Sequence, residues 1–225
     1  MKSLVRDPET LILPGLNGSP EGHWQRHWAR DRSDSRVVEQ DNWTYPDLHS
    51  WLERLVSAIE ASPGDVKLVA HSLGCVLAAN LANHRLASRV RGALLVAPCD
   101  LETTEKLHPC TITFGSMPRS RLPFPSLIVG SLNDPYMSVE RLRLTARCWG
   151  SALIDLGEAG HINIASGFGR WEAGYALLDL LKSTGERAVF NRLAEDGLFF
   201  TTPQTLVPGI GPSRAGRTKV GSKLN

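Results

Sequence analysis

A serine stands where a β-branched apolar run gives way to a helix-like one. The stretch is Val69-Ala70-His71-Ser72-Leu73-Gly74, preceded by Val66 and Leu68 and followed by Cys75, Val76, Leu77, Ala78 and Ala79. The small-x-Ser-x-Gly spacing is that of a nucleophile elbow, a sharp strand-to-helix turn that lifts the hydroxyl above a sheet. Such a turn brings backbone close on both sides, so its flanks must be small. Gly74 meets that need, and Ala70 takes the place of the usual first glycine. The Leu73 N–H would then sit at a helix N-terminus, where partial positive charge favours an oxyanion. Taken alone, Ser72 is equally a helix N-cap.

A serine hydroxyl is a poor nucleophile until a base takes its proton, and the base needs a partner to fix its tautomer. After an elbow serine the partners follow as Asp or Glu, then His. Asp134 and His161 occur in that order, each in the loop after an apolar run. By itself Asn133-Asp134-Pro135 reads as a turn. Its meaning comes from its position and order. Gly160 would let the backbone bend so that the His161 imidazole projects over the sheet edge. A second oxyanion donor is expected from Leu13-Pro14-Gly15-Leu16-Asn17-Gly18-Ser19, with the Leu16 N–H first choice and Asn17 second. The other histidines are weaker candidates. His23 and His27 are four apart on a predicted helix, a metal-pair spacing without an evident third ligand. His71 adjoins the serine and should point away from it, while His49, His84 and His108 fall on helix or loop surfaces. The chemistry needs no metal and no organic cofactor.

These residues must be positioned by a frame, and the apolar patterning supplies one. Short runs rich in Leu, Val and Ile predict strands at 10–13, 36–39, 66–70, 91–97, 126–130 and 152–155. Their continuous apolarity suits strands buried on both faces of a parallel sheet. Helices are predicted between them: one around Trp24 and Trp28, one through Leu48, Trp51, Leu55 and Ile59, and others at 72–81, 139–149 and 171–181. Strand–helix alternation reads as an α/β fold with a doubly wound, mostly parallel sheet of about six strands. Ligands of such sheets lie beyond the carboxyl ends of the strands, where all the candidate residues fall.

The chain has 225 residues, 42% of them hydrophobic and 21% charged, which suits one domain with a large core. A net charge of +2 gives no reason to expect nucleic acid or an anionic membrane as partner. No apolar run approaches the ~20 residues that span a bilayer, and residues 1–9 carry no signal-peptide core. Cys75, Cys99, Cys110 and Cys148 form no CxxC pair, as expected of reduced thiols in the cytoplasm. Residues 1–185 are read as the catalytic domain. Residues 186–225, with Arg214, Arg217, Lys219 and Lys223, are read as a poorly ordered basic tail. Five of the six tryptophans, Trp24, Trp28, Trp51, Trp149 and Trp171, fall at apolar helix positions, so core packing is expected of them.

Several stretches together resemble the RBBP9/YdeN family of small α/β-hydrolases, a serine hydrolase family. They are Leu13-Pro14-Gly15 with Gly18-Ser19 and His23-Trp24-Gln25, then Gln40-Asp41-Asn42-Trp43 with Pro46 and Trp51, then the Ser72 elbow. Leu94-Leu95-Val96-Ala97-Pro98, Leu122-Pro123-Phe124-Pro125-Ser126, Asn133-Asp134-Pro135-Tyr136, Gly160-His161-Ile162-Asn163 and Ser166-Gly167-Phe168-Gly169 with Trp171 continue the match. The resemblance spans roughly residues 10 to 180 and implies Ser72 as nucleophile, Asp134 as acid and His161 as base. It also implies an α/β-hydrolase fold. The family's association with retinoblastoma protein runs through an L-x-C-x-E motif that is missing here. Leu73-Gly74-Cys75-Val76-Leu77 lacks the glutamate, and Ala97, His108 and Ala146 stand where Cys99, Cys110 and Cys148 would need leucine.

The expected reaction is hydrolysis of a small carboxylic ester, possible also for a thioester or amide, through an acyl-enzyme on Ser72. Residues 98–125 contain Pro98, Pro109, Pro118, Pro123 and Pro125, so a minimal cap and a small-molecule acyl substrate are expected. The alternative is a protein that keeps the fold and pocket for binding or interaction without the chemistry.

Overall fold

The structure, a computed structural model, describes residues 7–179, 181 and 199–201. In chain order the elements are β1 (Glu9–Leu13), α1 (Trp24–Asp31), β2 (Ser35–Val37), α2 (Leu48–Ala61), β3 (Val66–His71) and α3 (Leu73–Asn80). There follow β4 (Val90–Val96), α4 (Leu101–Leu107), β5 (Ser126–Gly130), α5 (Val139–Trp149), β6 (Ala152–Asp155), α6 (Glu172–Asp179) and β7 (Phe199–Thr201). All strand pairs are parallel and the sheet order is β2-β1-β3-β4-β5-β6-β7. The six expected strands are present, with β2 starting one residue earlier and ending two earlier than its apolar run suggested. The seventh, β7, lies in the stretch 186–225 expected as tail; the rest of that stretch, 186–198 and 202–225, lies outside the described residues.

The predominance of apolar residues at consecutive strand positions has a direct cause. Side chains alternate along a strand, and here each face meets a separate core. Leu11, Leu13, Leu68, Ala70, Leu95, Ile128 and Leu153 face α2, α3 and α5, where Trp51, Leu55, Ile59 and Trp149 pack. Ile12, Val69, Leu94, Val96, Leu127, Val129 and Ile154 face α1 and α6, where Trp24, Trp28 and Leu177 pack. A large apolar side chain removed from water contributes about 1.5–3 kcal/mol, and an exposed ion pair about 0–1 kcal/mol. The two layers therefore hold the sheet, and pairs such as Arg91–Asp65 decorate it.

Helix α3 is apolar all round because it is buried all round, from Leu73 to Ala79. Gly74 is required where it crosses β1. A Cβ there would lie 2.2 Å from the Leu13 carbonyl oxygen and 2.7 Å from that of Pro14. Gly15 answers it from the other side, since a Cβ at that position would meet Ser72 Cβ at 2.8 Å. Strand order reverses between β1 and β3, so the loops leaving these two strands flank the sheet's switch point. That is the place where doubly wound sheets bind ligands.

The cap is minimal, as its prolines suggested. Its one helix of the described residues, α4, is seven residues long and opens on Asp100, whose carboxylate accepts the Thr103 N–H at 3.1 Å. Backbone bonds from Leu48 N–H to the Thr113 carbonyl and from Thr113 N–H to the Pro46 carbonyl tie the cap to the start of α2.

Candidate active site

Ser72 joins β3 to α3 with φ 53° and ψ −121°, a left-handed conformation that costs a non-glycine residue of order 1–3 kcal/mol. Its N–H is fixed to the Val96 carbonyl at 3.1 Å. Its side chain makes no helix-capping bond, so the N-cap reading does not describe it. The hydroxyl instead lies 2.9 Å from His161 Nε2. On the far side of the ring, His161 Nδ1 lies 2.9 Å from both carboxylate oxygens of Asp134. A carboxylate only accepts, so Nδ1 carries the proton and Nε2 presents its lone pair to the Ser72 hydroxyl. The fold thus brings together Ser72 after β3, Asp134 after β5 and His161 after β6, each buried.

The His161 loop is held through its backbone. Gly160 N–H donates to Asn133 Oδ1 at 2.7 Å, and His161 N–H to Ser166 Oγ at 3.1 Å. Gly160 has φ 58°, and a Cβ there would strike Ser166 Oγ at 2.4 Å. The His161 carbonyl accepts from His71 Nε2–H at 2.9 Å, and the Ile162 carbonyl from Trp24 Nε1–H at 2.9 Å. Asp134 is fixed in turn by the Tyr136 N–H, which donates to its Oδ1 at 2.9 Å. Of these supporting roles the sequence reading assigns only that of Gly160, whose positive φ agrees with it. Asn133, Tyr136, Ser166, Trp24 and His71 stand in the quoted motifs, which is their one signal in the sequence.

The cleft above Ser72 encloses about 390 Å³. Leu16, Asn17 and Pro20 form one wall, Thr104, His108 and Tyr136 another, and Asn163 and Ile164 a third. His108, expected on the surface, is half-buried here with Nε2 2.9 Å from the Tyr136 hydroxyl. The Tyr136 ring packs on the His161 imidazole, centroids 4.4 Å apart. In the oxyanion loop the Asn17 N–H donates to the Trp43 carbonyl at 2.8 Å, whereas the Leu16 N–H has no acceptor among the described residues. His23 and His27 do not form a metal pair: His23 caps α1 from a buried position, while His27 Nδ1 faces the Arg30 guanidinium at 3.2 Å. Cys99 lies buried near the site; burial, opposed by the Thr104 and Ser72 hydroxyls, pushes its thiol up to about 11, so it stays protonated.

Two histidines beside the site are held neutral. Burial first, then the charges of His161, Arg26 and His27, lower His23 from 6.5 to about 4. Burial and the neighbouring His161 and His23 hold His71 well below its ordinary value. Between pH 6.5 and 4 the unfolded chain takes a proton at His23 that the fold refuses, and His71 acts in the same direction. Their neutral burial is therefore harmless above pH 6.5 and destabilising as the pH falls. A shift of this size at His23 corresponds to roughly 3 kcal/mol at the bottom of that window. The melting temperature is expected to drop steadily from pH 7 to pH 4.5, and to drop less in His23→Asn. A flat profile in the wild type would contradict this.

The serine hydrolase family profile matches residues 10–180. A YdeN-like hydrolase from Pectobacterium atrosepticum is 32% identical, with 84% of this chain and 92% of that chain covered and a TM-score of 0.67. The ydeN gene product of B. subtilis is 23% identical, with 78% and 98% covered and a TM-score of 0.64. An enol-lactonase from Burkholderia xenovorans shares the fold at 13% identity, with 81% and 94% covered and a TM-score of 0.58. No curated protein matches the sequence. With the profile running from β1 through α6, the chain belongs to the serine hydrolase family, within the RBBP9/YdeN group of small α/β-hydrolases.

Proposed function

We propose that this hydrolase cleaves small carboxylic esters by acyl transfer through Ser72, His161 and Asp134. The observation that carries the reading is the unbroken chain of 2.9 Å contacts from Asp134 through His161 to Ser72. Ser72 Oγ attacks the ester carbonyl as its proton passes to His161 Nε2. The resulting imidazolium is held by Asp134. The oxyanion is met by the N–H groups of Leu73, at the free start of α3, and of Leu16, with Asn17 disfavoured because its N–H is already engaged. Collapse breaks the C–O bond, and His161 returns the proton to the leaving alcohol. Water then attacks the acyl-enzyme with His161 as base, releasing the acid and restoring the Ser72 hydroxyl.

The small cleft and short cap favour a small acyl group over a long chain. Thioesters and amides would pass through the same steps. No described helix is long and apolar enough to cross a membrane. All four cysteines are unpaired, which fits a reducing compartment such as the cytoplasm. Intact-mass analysis after fluorophosphonate treatment tests the reading. One adduct is expected on the wild type, on the peptide containing Ser72, and none on Ser72→Ala. No adduct on folded wild-type protein would overturn the mechanism and favour a binding protein that retains the fold.

A further inference from the structure

His23 takes no part in the proposed acyl transfer, yet it lines the cleft and is 4% exposed. Its Nδ1 is committed: it accepts the Gln25 N–H at 3.2 Å and so caps α1. A neutral imidazole has one accepting and one donating nitrogen. With Nδ1 accepting and the ring held neutral by burial, the proton is on Nε2. That N–H has no partner among the described residues and opens on the cleft. The ring is also locked in place, with its centroid 4.9 Å from that of His71 and 5.3 Å from that of Trp24. A fixed donor therefore stands in the wall of the cleft without a protein acceptor.

The remaining lining sets the charge of what could accept from it. None of the described residues lining the cleft is Lys, Arg, Asp or Glu. A carboxylate or phosphate on the substrate would be stripped of water there with no counter-charge, which is strongly unfavourable. A neutral oxygen carries no such cost.

We infer that His23 is a specificity-determining residue whose Nε2–H receives a neutral oxygen acceptor, such as an ether, hydroxyl or carbonyl, flanking the scissile ester. This rests on the hydrolase reading above. The substrate class becomes a small, uncharged, oxygen-bearing ester, in preference to a plain alkyl ester of the same length. A site that presents a donor discriminates against an analogue lacking the acceptor, because the donor is then left buried and unpaired.

Two isosteric pairs test the inference: 2-methoxyethyl acetate against butyl acetate, and methyl methoxyacetate against methyl butanoate. Each kcat/KM ratio is divided by the ratio for alkaline hydrolysis, which removes intrinsic reactivity. The wild type is expected to prefer the ether ester by about tenfold in at least one pair. In His23→Asn the corrected ratio is expected to fall to about one. Asparagine keeps the α1 cap but cannot extend a donor as far into the cleft. Because the readout is a ratio within one protein, a general loss of activity in the variant cancels. Corrected ratios near one for both pairs in the wild type, or a preference that survives in His23→Asn, would overturn the assignment. Nitrogen NMR of the wild type checks it without any variant: Nε2 should be protonated at pH 7, and an Nδ1–H tautomer defeats it. A wild type that takes no fluorophosphonate defeats the hydrolase reading instead, whereas one that labels but shows no preference defeats the role of His23 alone.

Discussion

His161→Ala is expected to lower kcat/KM for a small ester by about 10⁶. Among the described residues the imidazole is the one group hydrogen-bonded to the Ser72 hydroxyl that can take its proton in the proposed mechanism. Cys99, the other titratable neighbour, is held protonated by burial. Removing the ring therefore removes activation of the nucleophile and protonation of the leaving group together. What survives is binding and the oxyanion donors, which alone give about 10³–10⁴ over water in such sites. The variant should fold, because the loop is anchored through backbone groups. The His161 N–H is bound to Ser166 and its carbonyl to His71, and neither bond involves the deleted imidazole. Steady-state kinetics with an activated ester, alongside a thermal melt, would decide the matter. A loss of less than about 10² in a folded variant would remove His161 from the role of base.

Much of this arrangement was legible in the chain because it rests on local signals. Strands buried on both faces are mostly apolar on both alternating sets of positions, and β3, β5 and β6 stand out for that reason despite Lys67 in β3. The elbow is legible because Gly74 answers a steric demand that no other residue meets, at a fixed offset from Ser72. Asp134 and His161 are legible as residues leaving strands in the order the fold requires.

The supporting contacts were hidden because they join segments far apart in sequence. His71 reaches the His161 carbonyl across ninety positions, and Trp24 reaches the Ile162 carbonyl across 138. Nothing local to His71 announces that bond; a histidine beside the nucleophile looks redundant until the loop lies over it. His108 reads as a surface residue because its partner, Tyr136, is 28 positions away. The turn that stacks His108 against Tyr136 appears only in three dimensions. The choice between Leu16 and Asn17 had the same origin. It turns on whether the Trp43 carbonyl, 26 residues downstream of Asn17, consumes one N–H.

Asp134→Asn is expected to reduce kcat/KM by about 10⁴, close to 5 kcal/mol of transition-state stabilisation, while leaving the fold intact. The substitution is nearly isosteric, and the retained carbonyl oxygen can still accept the Tyr136 N–H that fixes this loop. What changes is the direction of one hydrogen bond. The new amide NH₂ facing His161 is a donor, so Nδ1 must become the acceptor and the ring proton moves to Nε2. Nε2 then points a proton at the Ser72 hydroxyl, 2.9 Å away, and cannot accept one. The imidazolium that forms during attack also loses its counter-charge in a buried site. Asp134→Ala is the informative comparison. It removes the charge and the orientation but imposes no wrong tautomer, so its loss should be no greater than that of Asp134→Asn. Nitrogen NMR of His161 in Asp134→Asn should show Nε2 protonated. A variant with the wild-type tautomer, or with activity within about tenfold of wild type, would mean that Asp134 does not orient the base.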